Sequence, residues 1–388
     1  MHNWTASTQP LAREPSRGAL AFDERPLLVF WETTKACLLS CRHCRATALP
    51  EAMPGELDTA EGSRLLQQVA GFGKPYPIVI LTGGDCLMRS DLLGLTTQAR
   101  QLGLTVALSP SVTPRLTPQT LAPFLDLGVK VVSISLDGAT AATHDRVRGI
   151  VGHFDATITA LTWLRQAGFK VQVNTTVMRE NVEELADVAA LMQRLEIPLW
   201  EVFFLVNVGR GTAVSAPSAA ENEDVCHFLF EASRYGFLVR TVEAPFFRRV
   251  ATWRRGLGEI EDPAEYFGLG PLYTRLHRRL GQLLGEPTRR PMAQSVATRD
   301  GMGVIFVAHD GSVRPSGFLP LSLGNVKDRS LAEMYREDPV LRAIRAADFA
   351  GRCGVCQFRS ICGGSRARAF ASTGDPLGED PGCVFGAA

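Results

Sequence analysis

The sequence predicts an α/β fold, a parallel sheet with helices outside it, closed as an open or partial barrel. Three observations carry this. Six strand–helix units follow one another between residues 27 and 205. Their strands are short, near-continuous apolar runs rather than alternating ones, as strands covered on both faces should be. Polar and glycine-rich segments recur at the carboxyl ends of those strands, where such folds place their ligands.

The elements can be justified in order. Leu27–Trp31 is a short apolar strand. Asp58 with Glu61 three residues on forms a capping box, and Leu65, Leu66, Val69 and Phe72 then share one helical face. Ile78–Leu81 is the second strand, Ser90 caps a helix through Leu102, and Thr105–Leu108 is the third strand. Thr117-Pro118 opens the next helix, because proline suits a first helical turn. Val131–Leu136, Val171–Thr176 and Trp200–Leu205 are strands four to six, with helices at Ala156–Gln166 and after Asn181 as cap. Asn207–Ala220 is a loop, and a helix near Val225–Tyr235 and a strand near Leu238–Val242 complete the core. Pro245–Met292 reads as irregular and arginine-rich. Beyond it come a strand at Val304–Ala308, a turn at Asp310-Gly311 and a strand at Ser312–Pro315.

The 388 residues suffice for one large domain and a smaller one. The expected division is a mobile arm over 1–24, a core over 25–243, an arginine-rich connection over 244–301 and a terminal domain over 302–388. The net charge of +1 favours neither nucleic acid nor an anionic membrane. No apolar run approaches the roughly 20 residues of a spanning helix. The polar N-terminus is no secretory signal, so the expected setting is the reducing cytoplasm.

Nine cysteines in such a setting argue for soft-metal ligation rather than disulfides. They form a triplet (Cys37, Cys41, Cys44), a quartet (Cys353, Cys356, Cys362, Cys383) and two singles (Cys86, Cys226). Cys226 reads as a small buried hydrophobe. The triplet follows the first strand directly. Three thiolates on a four-iron cluster leave one iron without a protein ligand, an open site suited to chemistry. Zinc prefers four closed ligands, and His43, between Cys41 and Cys44, is badly placed to be the fourth. The quartet supplies a full ligand set for a closed cluster or for structural zinc.

The Cys37-x3-Cys41-x2-Cys44 loop resembles the hallmark of the radical S-adenosylmethionine (SAM) superfamily, a partial (β/α)6 barrel. The resemblance implies a [4Fe–4S] cluster that cleaves SAM reductively to methionine and a 5′-deoxyadenosyl radical. It also implies an electron donor such as ferredoxin or flavodoxin. Gly83, Gly84 and Asp85, after strand two, resemble the motif that holds the amino group of SAM; Cys86 stands where relatives often carry proline. Ser135, Asp137, Arg148 and Asn174 match positions that bind ribose and carboxylate, and Val206 (within Leu205–Val208) and His43 match the surroundings of adenine. The quartet, with Gly363-Gly364 and Gly378–Cys383, resembles a SPASM/twitch-type auxiliary domain. Its likeness is to enzymes of haem d1 and alternative haem synthesis, which act on propionates. With no cysteine near Ser316, one auxiliary [4Fe–4S] cluster is expected. Arginines such as Arg248 and Arg249, with Phe246, Phe247 and Trp253, are expected to hold an anionic tetrapyrrole. The rival expectation is a peptide substrate, as for SPASM maturases.

Overall fold

The computed structural model describes residues 21–258, 260–294 and 298–385. The arm expected over 1–24 lies outside the described residues except for its last four. There Tyr335 donates to the Phe22 carbonyl at 2.6 Å.

Seven strands follow one another in the sheet in chain order, all parallel: β1 (Leu28–Glu32), β2 (Ile78–Thr82), β3 (Thr105–Leu108), β4 (Val131–Ser135), β5 (Lys170–Val177), β6 (Leu199–Phe204) and β7 (Leu238–Val242). Between them run α1 (Thr59–Ala70), α2 (Leu92–Gln101), α3 (Pro118–Asp126), α4 (Ala141–Arg148), α5 (His153–Gln166), α6 (Leu185–Arg194) and α7 (Ala219–Ala232). Sequential strand order with crossovers of one hand puts every helix on the same face. Burial follows that geometry: Val29, Trp31, Val79, Leu81, Val202 and Val239 are buried under the helices. Phe30, Ile80, Asn174, Thr176, Glu201, Phe203 and Arg240 alternate with them and are half-buried on the inner face.

Local signals explain most element starts. The α1 capping box is present in both directions, at 2.7 and 2.9 Å. Thr117 caps α3 with Pro118 in its first turn. Two expected caps are replaced. Asp91, not Ser90, precedes α2, and its carboxylate turns to Arg89 and Thr59 instead of the helix N–H groups. Asn181 stands before a short 3-10 turn without capping it, because its side chain is drawn back to the ends of β4 and β5. Around His144 to Arg148 a helix, α4, forms where none was expected.

The segment expected to be irregular is helical: α8 (Phe246–Leu257), α9 (Pro263–Phe267) and α10 (Pro271–Leu284). Both prolines sit in first turns, where their missing N–H costs nothing. The start of α10 is held from a distance, by Asp224 of α7 accepting from Gly270 N–H and Tyr273 N–H at 2.7 and 3.2 Å.

Beyond it, β8 (Val304–Val307) joins the sheet parallel to β1, on the side away from β2. The hairpin partners β9 (Ser312–Arg314) and β10 (Gly324–Asn325) extend the sheet antiparallel. Among the described residues four helices follow: α11 (Leu331–Glu337), α12 (Pro339–Ala346), α13 (Gly351–Val355) and α14 (Arg366–Thr373). Among the described residues no helix is long and apolar enough to cross a membrane.

Candidate active site

The loop after β1 brings Cys37, Cys41 and Cys44 together with Leu39 and Ala48 in one packed group. The Leu39 N–H points at Cys37 Sγ (3.4 Å), Ser111 Oγ lies 3.7 Å from the same sulfur, and Arg148 Nη1 lies 3.5 Å from Cys41 Sγ. Donors aimed at sulfur stabilise thiolates, whereas burial, with the neighbouring Asp85 and Cys41, raises the Cys37 thiol above its usual range.

The glycine motif after β2 packs on the same loop. Gly84 N–H and Asp85 N–H donate to the Thr34 and Ala36 carbonyls, both at 2.7 Å. A Cβ on Gly84 would lie 2.4 Å from the Ala36 oxygen, so only glycine permits this approach. The Asp85 carboxylate is taken up by protein donors. It is fully buried and accepts from Ser111 N–H, Leu87 N–H and Thr113 Oγ, which makes it a brace between the ends of β2 and β3.

Asp137, just past β4, is the hub of the site. Arg148 pairs with it, and His43 Nε2 lies 3.6 Å away. Its other oxygen accepts from Thr176 N–H at 2.7 Å. Burial opposes its charge, but the Arg148 guanidinium and His43 hold its carboxyl below the usual carboxylate range. Burial pushes His43 down to about 4. Asn174 accepts from Gln172 within β5, and Ser135 ends β4 half-buried. Val206 packs on Leu319 and Ala367, away from the cysteine loop's own packed group.

Several residues join the site without having been singled out. His144 Nδ1 accepts from Asp137 N–H at 3.1 Å, and His153 and Thr157 lie behind it. Asn181 donates to the Asp137 and Thr176 carbonyls, both at 2.8 Å. Arg210 donates to the Cys41 and Ala48 carbonyls, fastening the cysteine loop from the end of β6. Beside it the Gly209 Cβ position is 2.4 Å from the Arg45 carbonyl. The Gly-Arg-Gly run at 209–211 was the available signal for this clasp. At the strand ends, Glu32 accepts from Arg45 (3.2 Å) and meets His309 Nδ1 (2.9 Å). Arg45 lies over Phe306 (4.6 Å) and Phe318 (5.9 Å), and Phe318 lies 6.0 Å from Phe203.

The residues fit a cluster and SAM. The donors are soft thiols, and His43 Nδ1 and Arg148 Nε are buried with no hydrogen-bond partner among the described residues.

The quartet forms a separate site. Cys353, Cys356, Cys362 and Cys383 line a cavity of about 430 Å³, its open mouth included. They ring a space rather than close on one point. Among the described residues no three His, Cys, Asp or Glu side chains sit at single-ion spacing. Phe358 N–H and Gly364 N–H point at Cys356 Sγ and Cys362 Sγ (3.4 and 3.5 Å), and Asp380 N–H at Cys353 Sγ (3.5 Å). Burial pushes the Cys362 thiol up to about 12 and Cys383 up to about 11.

Arg248 and Arg249 are not free for a substrate. Arg249 makes two hydrogen bonds to Glu223, at 2.9 and 2.5 Å, and lies over Phe385. Arg248 donates to the Ile361 and Thr298 carbonyls. Both are buried, and Phe246 and Phe247 are core residues. Trp253 packs edge-on to Phe267 and Phe385.

Comparison with known proteins fits this geometry. Residues 31–192 match the Radical SAM superfamily. An AdoMet-dependent heme synthase from Oleidesulfovibrio alaskensis is 34% identical, over 92% of this chain and 87% of that protein. A mycofactocin maturase from Mycobacterium tuberculosis is 31% identical, over 94% of this chain and 84% of that protein. Among solved structures, Streptococcus suis SuiB bound to S-adenosylmethionine superposes with a TM-score of 0.67 at 15% identity, over 93% of this chain and 78% of that one.

Proposed function

The chain belongs to the radical SAM superfamily, and on that premise we propose that it modifies the propionate side chains of a tetrapyrrole. It is a radical SAM enzyme related to enzymes of alternative haem synthesis, and the family implies a [4Fe–4S] cluster and SAM. The observation that carries the substrate reading is the 34% identity to a heme synthase along 92% of the chain.

In this reading residues 25–243 house the SAM chemistry and 302–388 a second [4Fe–4S] cluster, joined by 244–301. Cys37, Cys41 and Cys44 hold the first cluster, and Cys353, Cys356, Cys362 and Cys383 the second. When bound, the first cluster would supply the electron for reductive cleavage of SAM, with Cys37, Cys41 and Cys44 holding it and one iron left open for SAM. The backbone of Gly83 and Gly84 faces the amino group of SAM. Asp137, Arg148, Ser135 and Asn174 hold its carboxylate and ribose, and His43 and Val206 flank adenine. Arg148 is suited to a carboxylate because burial keeps water from competing for its unpaired Nε–H.

For the substrate, Arg45, which donates to Glu32 through Nη1 only, takes the place of Arg248 and Arg249 as the anion contact. It follows Cys44, is half-buried, and stands among Phe203, Phe306 and Phe318 at the ends of β6 and β8. A cation beside aromatic rings matches a flat ring bearing carboxylates. The electron comes from a donor of the ferredoxin or flavodoxin type.

The test is anaerobic titration of the reduced, cluster-loaded protein with iron-coproporphyrin, followed by 5′-deoxyadenosine assay and product mass. Binding, stimulated deoxyadenosine formation and loss of carboxyl mass are expected. The 31% identity to a mycofactocin maturase favours a second reading, peptide modification. It takes over if a peptide, but no tetrapyrrole, stimulates SAM cleavage.

A further inference from the structure

Five buried or largely buried arginines contact the segments that carry the quartet, and they divide into two kinds. Arg249 and Arg368 are neutralised by Glu223 and Asp380. Arg248, Arg299 and Arg366 are 4%, 7% and 0% exposed, and among the described residues no carboxylate lies within ion-pair distance of them. Their partners are backbone carbonyls. Arg248 reaches Ile361, Arg299 reaches Arg359, Ser360, Cys362 and Ile344, and Arg366 reaches Gly364, Pro376 and Gly378. Carbonyls offer partial charges only, and burying a full cation without a counter-charge is costly. Burial accordingly pushes Arg248 down to about 10 and Arg299 to about 9. Asp300 acts on both from beyond ion-pair reach, and burial raises the carboxyl of Glu243 beside it well above its usual range.

One guanidinium reaches a thiol directly, and a second reaches the backbone of another cysteine: Arg299 Nη1 donates to the Cys362 carbonyl at 3.2 Å. Arg366 Nη2 lies 3.7 Å from Cys353 Sγ. At Gly363 a Cβ would lie 2.5 Å from Arg299 Nη1. At Gly364 it would lie 2.5 Å from Arg366 Nη2 and 3.1 Å from Cys353 Sγ. The two glycines that follow Cys362, both at positive φ, therefore leave room for cations against the sulfur cage.

We propose that Arg248, Arg299 and Arg366 are fixed counter-charges for a four-thiolate [4Fe–4S] group in the quartet and raise its reduction potential. The proposal rests on reading the quartet as a cluster site. Four thiolates make such a group a net anion, and reduction by one electron adds one negative charge, which nearby cations stabilise. These are positioning residues, since they act on the cluster's charge rather than on substrate.

The experiment is an EPR-monitored dithionite titration of the full chain, reconstituted with both clusters. Wild type is compared with Arg299→Gln, Arg366→Gln and the corresponding lysine variants. The glutamine variants are expected to shift the auxiliary midpoint to more negative potential. The lysine variants should stay near wild type, and the midpoint of the SAM cluster should not move. Iron and signals for a single cluster in the wild type overturn the cluster reading itself. An auxiliary signal with an unchanged midpoint in both glutamine variants overturns the counter-charge role alone. Should the glutamine variants fail to assemble the cluster, assembly in the lysine variants supports a charge requirement. Equal failure in the lysine variants assigns the arginines to hydrogen-bond geometry and overturns the proposal.

Discussion

His144 Nε2 lies 2.8 Å from His153 Nδ1, and this contact fixes the tautomer of both rings. His144 Nδ1 accepts from Asp137 N–H, so its proton sits on Nε2 and is donated to His153 Nδ1. His153 then donates from Nε2 to the Val112 carbonyl at 3.0 Å. Two neutral histidines thus tie the loop after β3 to the Asp137 backbone.

A pH dependence follows. Burial pushes His144 down to about 3, against an ordinary value of about 6.5. Between those values the unfolded chain binds more protons than the folded one, so stability falls as pH drops below about 6.5. His144 alone should remove about 1 kcal/mol between pH 7.5 and 5.5. His144→Asn keeps an acceptor for Asp137 N–H but cannot titrate. Thermal midpoints at the two pH values should differ more in the wild type than in this variant, and equal differences would remove His144 from the account.

Arg148 and Asp137 are 7% and 1% exposed, and each compensates the other. Removing either partner of such a buried pair costs about 3–5 kcal/mol, because the remaining charge is stranded. Asp137→Asn and Arg148→Met should each destabilise by about this much, and the double variant by clearly less than the sum. Additive costs in denaturant unfolding would mean that the two are not coupled.

Gly84→Ala should abolish 5′-deoxyadenosine formation. The new Cβ meets backbone oxygens of Lys35 and Ala36 at 2.6 and 2.4 Å, and these can retreat only by displacing the loop that carries Cys37. Gly94→Ala, in α2 with nothing within 4 Å, is the control and should keep wild-type turnover. Turnover by the Gly84 variant would contradict this packing.

Arg45 and Arg249 should separate binding from folding. Losing one charge-assisted contact is worth about 1.5–3 kcal/mol, so Arg45→Gln should weaken tetrapyrrole binding about tenfold to a hundredfold. Arg249→Gln strips buried Glu223 of its guanidinium partner and leaves only His227 beside it, so it should lower stability by about 3–5 kcal/mol while the tetrapyrrole Kd holds. Spectroscopic titration beside thermal unfolding reads both quantities.

The sequence by itself determined the run of strands, the helix caps at Asp58 and Thr117, and the thiols of the triplet on one loop. Each depends on residues within a few positions of one another: apolar runs, capping side chains, cysteine spacing. The family resemblance placed Asp137 and Arg148 in one site, but the short helix α4 that joins them was not legible in the sequence. Only the tertiary structure decided the fate of the arginines. Arg249 meets a glutamate 26 positions away, Arg248 meets carbonyls 50 and 113 positions away, and Asp85 turns its charge inward to Ser111 and Thr113. Nor does any local pattern announce that β8 pairs with β1 across the whole barrel sequence. A side chain's charge is written in the sequence. The partner that neutralises it is chosen by packing between distant segments, where desolvation makes one contact favourable and its alternatives costly.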